Sequence, residues 1–183
     1  LLNAPVCTTV SGQGSLAGSH PLLAGVVGTN GGVPATRAVL QQADLVMFIG
    51  ARAGSTTTEH WQVPPRGTPI LHLDVDAATI GTNYRTEVAL VGDARLGARI
   101  GTRRADAADG RAIVTQARAD KRAFFAPLAA SRERPIRPER VVDLLNRLLP
   151  AKAIVVADPG TPCPYLSAYF DAPQAGRHFI TNR

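Results

Sequence analysis

The sequence contains two cysteines among 183 residues, Cys7 and Cys163, in different segments and with no CxxC pair or histidine cluster nearby. This spacing argues against a structural zinc site, whose ligands come in closely spaced pairs. Two buried, reduced thiols are the simpler interpretation, and they are typical of proteins of the reducing cytosol. We therefore expect a cytoplasmic protein.

Long apolar runs are missing as well. No stretch approaches the roughly 18 consecutive apolar residues of a membrane helix, and the N-terminal LLNAP has no basic region ahead of an apolar core. We expect neither a membrane partner nor a secretion signal. Since the sequence begins without Met and stops at HFITNR, an apolar, strand-like run, we also expect an excised part of a longer protein.

Aromatic residues make up 5% of the chain, although its net charge of +6 would suit nucleic acid. The positive charge is concentrated in residues 95–147, where 13 of the 20 Lys and Arg and six of the 14 Asp and Glu give +7, against −1 for the remainder. These basic residues are interleaved with Ala, Leu, Val and acids at helical spacing. With few aromatics to stack on bases, they indicate a solvated helix face, and we expect no nucleic-acid partner.

Four apolar runs of strand length, residues 5–10, 45–50, 69–75 and 88–92, are bounded by Gly, Pro, Asp or Asn. Continuous apolarity is typical of strands buried on both faces, as in a parallel sheet covered by helices. A helix beginning at Pro34 joins the first two runs, and another with Asp93 as its N-cap follows the fourth. The pattern predicts an α/β fold with an open, parallel, doubly wound sheet of Rossmann-like type.

The composition changes near residue 103, where an Ala- and Arg-rich stretch predicts one amphipathic helix and residues 138–150 predict a second. Their predicted apolar faces are Ile113, Ala117, Phe124 and Leu128, and Val141, Leu144, Leu145 and Leu148. A new apolar strand begins near residue 154. We predict a central nucleotide-binding-like domain over 1–104, a helical linker over 105–150 and the truncated start of another domain over 151–183.

Glycine-bearing segments follow the predicted strands, at the sheet edge where ligands bind in open parallel sheets. Gly12-x-Gly14 matches part of a dinucleotide fingerprint, but Gly18 comes one place late and no helix start follows. In GVVGTNGG, residues 25–32, the glycines either admit a flat or charged ligand or merely serve turns.

The segment Gly50–Arg52 directly follows the run 45–49. The guanidinium of Arg52 suits a phosphate or a ribityl chain; the alternative is a nearby carboxylate that ties the loop down. Asp74 and Asp76 end the next strand, where acids either accept from ribose hydroxyls or cap a helix. His72 lies mid-strand among apolar residues, and we expect it in the core.

Catalytic motifs are missing. His20 and His60 lie in predicted loops with no nucleophile at a recognisable spacing, and the sequence has no metal triad, nucleophile elbow or P-loop. We expect this chain to contain no complete active site, no catalytic residue and no metal ligand.

Taken in order, the segments PVCTTVSGQG, SHPLLAGVVGTNGG, ADLVMFIGARAG, ILHLDVDAATIG and VGDARL resemble the central domain of thiamine diphosphate enzymes of the acetolactate synthase, pyruvate oxidase and oxalyl-CoA decarboxylase group. IVVADPGTPCPYLSAYF and RHFITNR are similar to the start of their pyrophosphate-binding domain. The resemblance implies three α/β domains, of which this chain holds the central, DHS-like nucleotide-binding one, the linker and the first unit of the third.

In flavin-bearing members of this group the central domain binds FAD, and other members bind ADP there. The positions that the resemblance assigns to this site are Thr9, Val10, Gly28, Thr29, Asn30, Gly50, Ala51, Arg52, Asp74, Val75 and Asp93. Gly160 and Thr161 would contact the diphosphate of thiamine diphosphate.

The sequence departs from the family patterns at three places. After Gly-Ala-Arg the flavin-bearing synthases continue Phe-Asp-Asp-Arg, where this chain has Ala-Gly-Ser-Thr. The histidine of the family's GMHGT is here Asn30, and its Gly-Gln-His-Gln turn is replaced by residues 160–163, GTPC. FAD, ADP and an empty central domain therefore stay open as alternatives.

For the parent protein the resemblance implies an enzyme that uses thiamine diphosphate and Mg²⁺ to decarboxylate a 2-oxo acid and pass the product to an acceptor. The family's activating glutamate and magnesium-binding stretch lie outside this sequence, so we expect the chain alone to be inactive. Family members form homodimers or homotetramers, and an exposed strand edge near residue 183 should favour association. The alternatives are a stand-alone FAD- or ADP-binding module, of sirtuin-like or electron-transfer-flavoprotein-like kind, and a ligand-free scaffold.

Overall fold

A computed structural model describes residues 3–97, 109–176 and 178–181. Its strands are β1 (Val6–Thr8), β2 (Leu23–Val26), β3 (Val46–Ile49), β4 (Ile70–Asp74), β5 (Val88–Val91), β6 (Val155–Ala157) and β7 (Phe179–Thr181). Its helices are α1 (Pro34–Gln41), α2 (Ala94–Gly97), α3 (Gly110–Ala129), α4 (Pro138–Leu148) and α5 (Pro162–Tyr169).

The strand pairs formed by these residues are all parallel, and they build sheets of order β1-β2, β3-β4-β5 and β6-β7. The prediction of an α/β fold with parallel strands flanked by helices is confirmed. The hydrogen-bonded ladders form three small sheets instead of the continuous sheet that the apolar runs indicated. A Rossmann-like, doubly wound arrangement is consistent with this order.

Strand β2 was not among the predicted strands, because Gly25 interrupts its apolar run and two glycine-bearing segments flank it. Gly25 has a φ of +131°, and a Cβ built on it would lie 3.1 Å from Cγ2 of Thr36 in α1. The glycine therefore allows α1 to approach β2 closely, a use that strand propensity does not predict.

Helix α3 packs on the first sheet through Val114 and Ala117, both buried. The predicted apolar face is wrong at Phe124, which is 56% exposed. Its neighbour Phe125 faces inward instead and stacks on Tyr169 with ring centroids 4.3 Å apart. Around the helix, Phe124, seven residues after Ala117, lies about 20° from it on one side, and Phe125, eight residues after, lies about 80° from it on the other. An apolar stripe about 100° wide admits either ring, and the distant partner Tyr169 selects Phe125.

Helix α4 shows the same offset of one residue. Val141 is 40% exposed and Leu148 is 76% exposed, whereas their neighbours Val142, 3% exposed, and Leu149 pack in the core. Leu145 packs against the core as predicted. This core cluster joins the first sheet to the C-terminal βα unit, β6-α5-β7, and its buried members include Val10, Val26 and Cys163. The side of α4 that is buried is therefore set by the C-terminal unit.

Some predictions fall on residues that the structure does not describe. The helix predicted after Asp93 is seen as α2 up to Gly97, and the rest of it lies outside the described residues. The boundary predicted between residues 104 and 105 lies outside them too. Within the described ranges, none of the helices has the length and apolarity to cross a membrane.

Candidate functional site

The carboxyl ends of β3, β4 and β5 lie side by side, and we call this the β3–β5 edge. The register pairs Ile49 with Leu73 and Asp74 with Val91. Because neighbouring strands lie about 4.8 Å apart, this register brings together the segments 50–52, 74–75 and 92–93, which are distant in sequence. Of the residues assigned from the resemblance, Gly50, Ala51, Arg52, Asp74, Val75 and Asp93 meet here.

Arg52 supplies the cation of this edge. Its side chain is exposed, and no carboxylate or hydrogen-bond acceptor of the described residues contacts its guanidinium. The alternative that Arg52 ties the loop down through an ion pair is therefore not seen in the described part of the chain. The loop is held instead by Asn83, whose Nδ2 donates to the carbonyl oxygen of Arg52 at 2.8 Å. The guanidinium is left available to an anionic ligand.

Three carboxylates surround this edge and are partly used by the backbone. Asp74 accepts from the amide of Asp76 at 2.9 Å, and Asp76 accepts from the amide of Ala78 at 2.9 Å. Asp93 accepts from the amide of Arg95 at 2.8 Å and so caps α2, as predicted. Each uses one oxygen in these amide contacts, and the second oxygens of Asp74 and Asp93 have no partner among the described residues.

The glycines of the β3–β5 edge open onto free space. A Cβ built on Gly50, Gly54 or Gly92 would meet no heavy atom within 4 Å among the described residues. Gly50 needs to be glycine for its φ of +57°, whereas Gly54 and Gly92 have no internal packing that requires glycine. Within the described ranges, the edge therefore combines an unpaired guanidinium, unpaired carboxylate oxygens and glycine backbone with open space. Such groups can bind phosphate and sugar hydroxyls.

The loop after β2 contacts the loop after Arg52 at Thr56. The amide of Thr29 donates to the carbonyl oxygen of Thr56 at 2.8 Å, and a Cβ on Gly28 would overlap that oxygen and lie 2.8 Å from Cα of Thr57. Gly28 is thus required by contact with the protein itself. On the other side, Nδ2 of Asn30 lies 3.5 Å from Sγ of Cys163. Thr29 is exposed, and it is the residue of this loop best placed to reach a ligand.

Thr9 and Val10, the first two positions assigned from the resemblance, contact other residues of the protein. Oγ1 of Thr9 accepts from the amide of Gly12 at 3.0 Å, and Val10 is 6% exposed within the core. Both side chains are therefore used within the protein. The partial fingerprint Gly12-x-Gly14 likewise lies against the C-terminal segment, since the Gly14 carbonyl accepts from the amide of Gly176 at 2.8 Å.

The Arg52 loop, residues 52–61, contains three consecutive residues with left-handed backbone. These are Glu59, His60 and Trp61, with φ of 51°, 58° and 60°. Such conformations cost about 1 kcal/mol or more each for residues other than glycine. Hydrogen bonds hold the loop: Nδ1 of His60 lies 2.9 Å from Oγ of Ser55, and Glu59 pairs with Arg37 of α1 at 3.2 Å. The neighbourhood of Arg52 is therefore fixed in place.

His72 lies in the core, as predicted. It is 2% exposed, and its Nε2 donates to the carbonyl oxygen of Ala51 at 3.1 Å. This bond holds the backbone one residue before Arg52, a supporting role that the sequence did not indicate.

Cys7 is no nucleophile, because burial raises the pKa of its thiol to about 12. No group of metal-ligating side chains is found in the described ranges.

The turn before α5 offers few donors to a diphosphate. The amide of Gly160 is already bound by the carboxylate of Asp158 at 2.9 Å, and Pro162 and Pro164 have no N–H. Thr161 is exposed, and its amide and hydroxyl have no partner among the described residues. In this conformation the turn contributes one donor residue, so it does not by itself fit the diphosphate of thiamine diphosphate.

Asn83 and Cys163 were missed as residues that support the site. Asn83 lies in an exposed turn and Cys163 is fully buried in α5. Each contacts a group distant in sequence, Asn83 the carbonyl oxygen of Arg52 and Cys163 the side-chain amide of Asn30. No local pattern in the sequence predicts such contacts.

The model of the family described as thiamine pyrophosphate enzyme, central domain, matches residues 1–99. The probable acetolactate synthase large subunit of Methanococcus aeolicus is 41% identical over 96 residues, which are 52% of this chain and 16% of that protein. The acetolactate synthase large subunit of Lactococcus lactis is 25% identical over 182 residues, which are 97% of this chain and 31% of that protein.

A third relative matches almost the whole chain. The probable 2-ketoarginine decarboxylase AruI of Pseudomonas aeruginosa is 32% identical over 184 aligned residues, covering 98% of this chain and 31% of that protein. The chain thus spans less than a third of the length of each of these three relatives.

Proposed function

The chain belongs to the family of thiamine pyrophosphate enzyme central domains, and from this premise we propose that it is the central part of a thiamine diphosphate-dependent 2-oxo acid decarboxylase or carboligase. We further propose that its β3–β5 edge binds FAD or ADP. The domain limits 1–104, 105–150 and 151–183 are proposed with it.

The observation that carries the nucleotide proposal is the free guanidinium of Arg52 beside bare glycine backbone and carboxylate oxygens. A guanidinium suits a phosphate, and the free oxygens of Asp74 and Asp93 suit sugar hydroxyls. Arg52 is the one cation among the described residues assigned to this edge, and no described residue pairs with its guanidinium. Removal of Arg52 should therefore abolish most of the affinity for a diphosphate.

Thiamine diphosphate, when bound in the parent enzyme, supplies a nucleophilic carbon and accepts the electrons released on decarboxylation. The residues of this chain would serve binding and orientation. Thr161 would donate to a phosphate, with Gly160 shaping the turn, and the remaining contacts and Mg²⁺ would need residues outside the described turn. With no catalytic side chain assigned here, we propose that the chain alone is inactive.

Calorimetric titration of the 183-residue protein with FAD, ADP and NAD tests the nucleotide proposal. Arg52→Ala removes the cation, and Arg66→Ala, also exposed and lying beyond the Arg52 loop, is the matched control. We expect FAD or ADP to bind the wild type and the control, with an affinity reduced at least tenfold in Arg52→Ala. A charged hydrogen bond contributes about 1.5 to 3 kcal/mol, which corresponds to at least a tenfold change.

The ligand that binds distinguishes the alternatives. FAD would point to a flavin-bearing parent and ADP to a parent of the CoA-ester decarboxylase kind, while NAD binding would contradict both. Binding that survives in Arg52→Ala would refute the assigned site. No binding of any of the three would favour a ligand-free central domain.

The remaining proposals are a cytoplasmic location and a homodimer or homotetramer. Apolar side chains are exposed on two sheets, with Val91 of β5 at 64% and Val156 of β6 at 73%. Such faces favour association. Sedimentation velocity over a range of protein concentrations tests this, and a monomer at the highest concentration would contradict it.

A further inference from the structure

The loop after β2, residues 28–32, lies directly against α5. A Cβ built on Gly31 would overlap Cβ of Ser167 and lie 3.3 Å from its carbonyl carbon. Next to it, Nδ2 of Asn30 donates to Sγ of Cys163 at 3.5 Å. The loop and the helix therefore meet with no room for a single methyl group between them.

The loop cannot easily move away from α5, because its other side is also in contact. The amide of Gly32 donates to the carbonyl oxygen of Gly28 at 2.9 Å, which closes the loop on itself. Gly28 in turn lies against the backbone of Thr56 in the Arg52 loop. The loop is thus packed between the β3–β5 edge and α5.

A second contact supports the C-terminal unit from the segment after β1. The amide of Gly18 donates to the carbonyl oxygen of Ala172 at 2.8 Å, and Nε2 of Gln13 donates to the carbonyl oxygen of Phe170 at 3.1 Å. These bonds hold the chain that follows α5. The C-terminal end of α5 is held by Asn146 of α4, whose Nδ2 donates to the carbonyl oxygen of Tyr169 at 2.8 Å. The loop 28–32 contacts α5 at Cys163 and Ser167, nearer its N-terminus.

We propose that the loop 28–32 is a positioning element for α5, and that Gly31 sets the distance at which the helix lies. The turn at Thr161 directly precedes α5, so the loop also fixes where the Thr161 donors stand relative to the β3–β5 edge. This last consequence rests on the proposed function, whereas the positioning of α5 does not.

Cys163 reports on the position of α5 because its side chain is 0% exposed under the loop, with Sγ 3.6 Å from Oγ of Ser167. A thiol in this place can react only when α5 moves away from the loop. The proposed test is pulse labelling of the 183-residue protein with iodoacetamide at pH 8, with no ligand present. Modification at Cys163 and at Cys7 is then measured separately on peptides by mass spectrometry.

Gly31→Ala should raise the labelling rate of Cys163 by about tenfold or more, since the added methyl group displaces α5 and increases the open population. Ser167→Gly removes the closest atom that the methyl group would meet, so Gly31→Ala/Ser167→Gly should bring the rate most of the way back to that of Ser167→Gly alone. The remainder is the backbone strain of alanine at the φ of Gly31, +129°. Gly67→Ala is the matched control, because Gly67 also has a positive φ, +92°, but a Cβ there would meet nothing within 4 Å among the described residues.

A rise confined to Cys163 and reversed in the double variant supports the proposal. An unchanged rate in Gly31→Ala, or a parallel rise at Cys7 that Ser167→Gly does not reverse, overturns it. Since no ligand takes part, a failure of nucleotide binding leaves this outcome untouched, and the two proposals can fail separately.

Discussion

Arg118 of α3 makes the most concentrated set of contacts between the predicted linker and the central domain. Its Nη2 donates to the carbonyl oxygens of Gly18 at 2.6 Å and His20 at 2.8 Å, and its Nε donates to that of Leu23 at 3.0 Å. Gly18 and His20 lie in the connection between β1 and β2, which contains no helix of its own, and Leu23 is the first residue of β2. We predict that Arg118 is a main determinant of the stability of the first sheet.

The magnitude follows from the three bonds. A hydrogen bond from a charged donor contributes about 1.5 to 3 kcal/mol, and the lower value applies here because Arg118 is only partly buried. Water can replace part of the lost donors at the half-buried carbonyls. We therefore expect Arg118→Met, which keeps the length of the stem, to lower the free energy of unfolding by about 3 kcal/mol. Arg118→Lys keeps one donor group, and we expect about half that loss.

Urea unfolding followed by far-UV circular dichroism and by the fluorescence of Trp61 measures this loss. The matched control is Arg122→Met on the same helix, since Arg122 is exposed and has no hydrogen bond or ion pair with the described residues. The reasoning is refuted if Arg118→Met and Arg122→Met differ by less than about 0.5 kcal/mol, the usual spread of surface substitutions.

Three further predictions concern buried groups. Burial lowers the pKa of Lys121, so charging this side chain costs stability in the folded protein. Lys121→Met should therefore raise the free energy of unfolding near pH 7. This gain should shrink as the pH rises from the lowered folded pKa toward the unfolded pKa, and denaturation at several pH values measures it. Burial raises the pKa of Cys7 from 9.0 to about 12, so alkylation at pH 8 should be about a thousandfold slower in the native than in the unfolded protein, and comparable rates would contradict this. Ile70 is 1% exposed in the central strand β4, so Ile70→Ala should cost about 2 to 5 kcal/mol in urea unfolding, while Val91→Ala, at a site 64% exposed, should change stability by less than about 0.5 kcal/mol.

The strands β3, β4 and β5 could be predicted because each is an apolar run ended by Gly or Asp, and the observed strands lie inside the predicted runs with ends shifted by at most one residue. Run length and end signals are local, so they survive whatever the strand packs against. The buried face of a helix is different. Phe124 and Phe125 are equivalent to a local pattern, and the choice between them depends on Tyr169, which lies on a distant helix.

The site divides in the same way. The position of Arg52 and Asp74 at one edge of the sheet could be predicted, because the carboxyl ends of neighbouring parallel strands meet there. The partners that hold them could not: Asn83 binds the carbonyl oxygen of Arg52, and His72 binds that of Ala51, in both cases through a tertiary contact. Residues at the ends of strands are thus more visible in sequence than the residues that keep them in place.

The glycine pattern alone could not decide which of three glycine-bearing segments binds a ligand. Gly12-x-Gly14, the run 25–32 and the segment 50–54 look alike as patterns, but the space around each residue differs. A side chain on Gly14, Gly28 or Gly31 would meet the protein's own backbone or Ser167, whereas one on Gly54 would meet nothing within 4 Å. Glycines of the first kind are explained by packing and need no ligand. Those of the second kind cluster with Arg52, whose guanidinium has no partner among the described residues, so the β3–β5 edge is where a nucleotide should be sought. Gly14 and Gly31 instead serve to dock the C-terminal unit, and Gly28 packs against the backbone of Thr56 and Thr57.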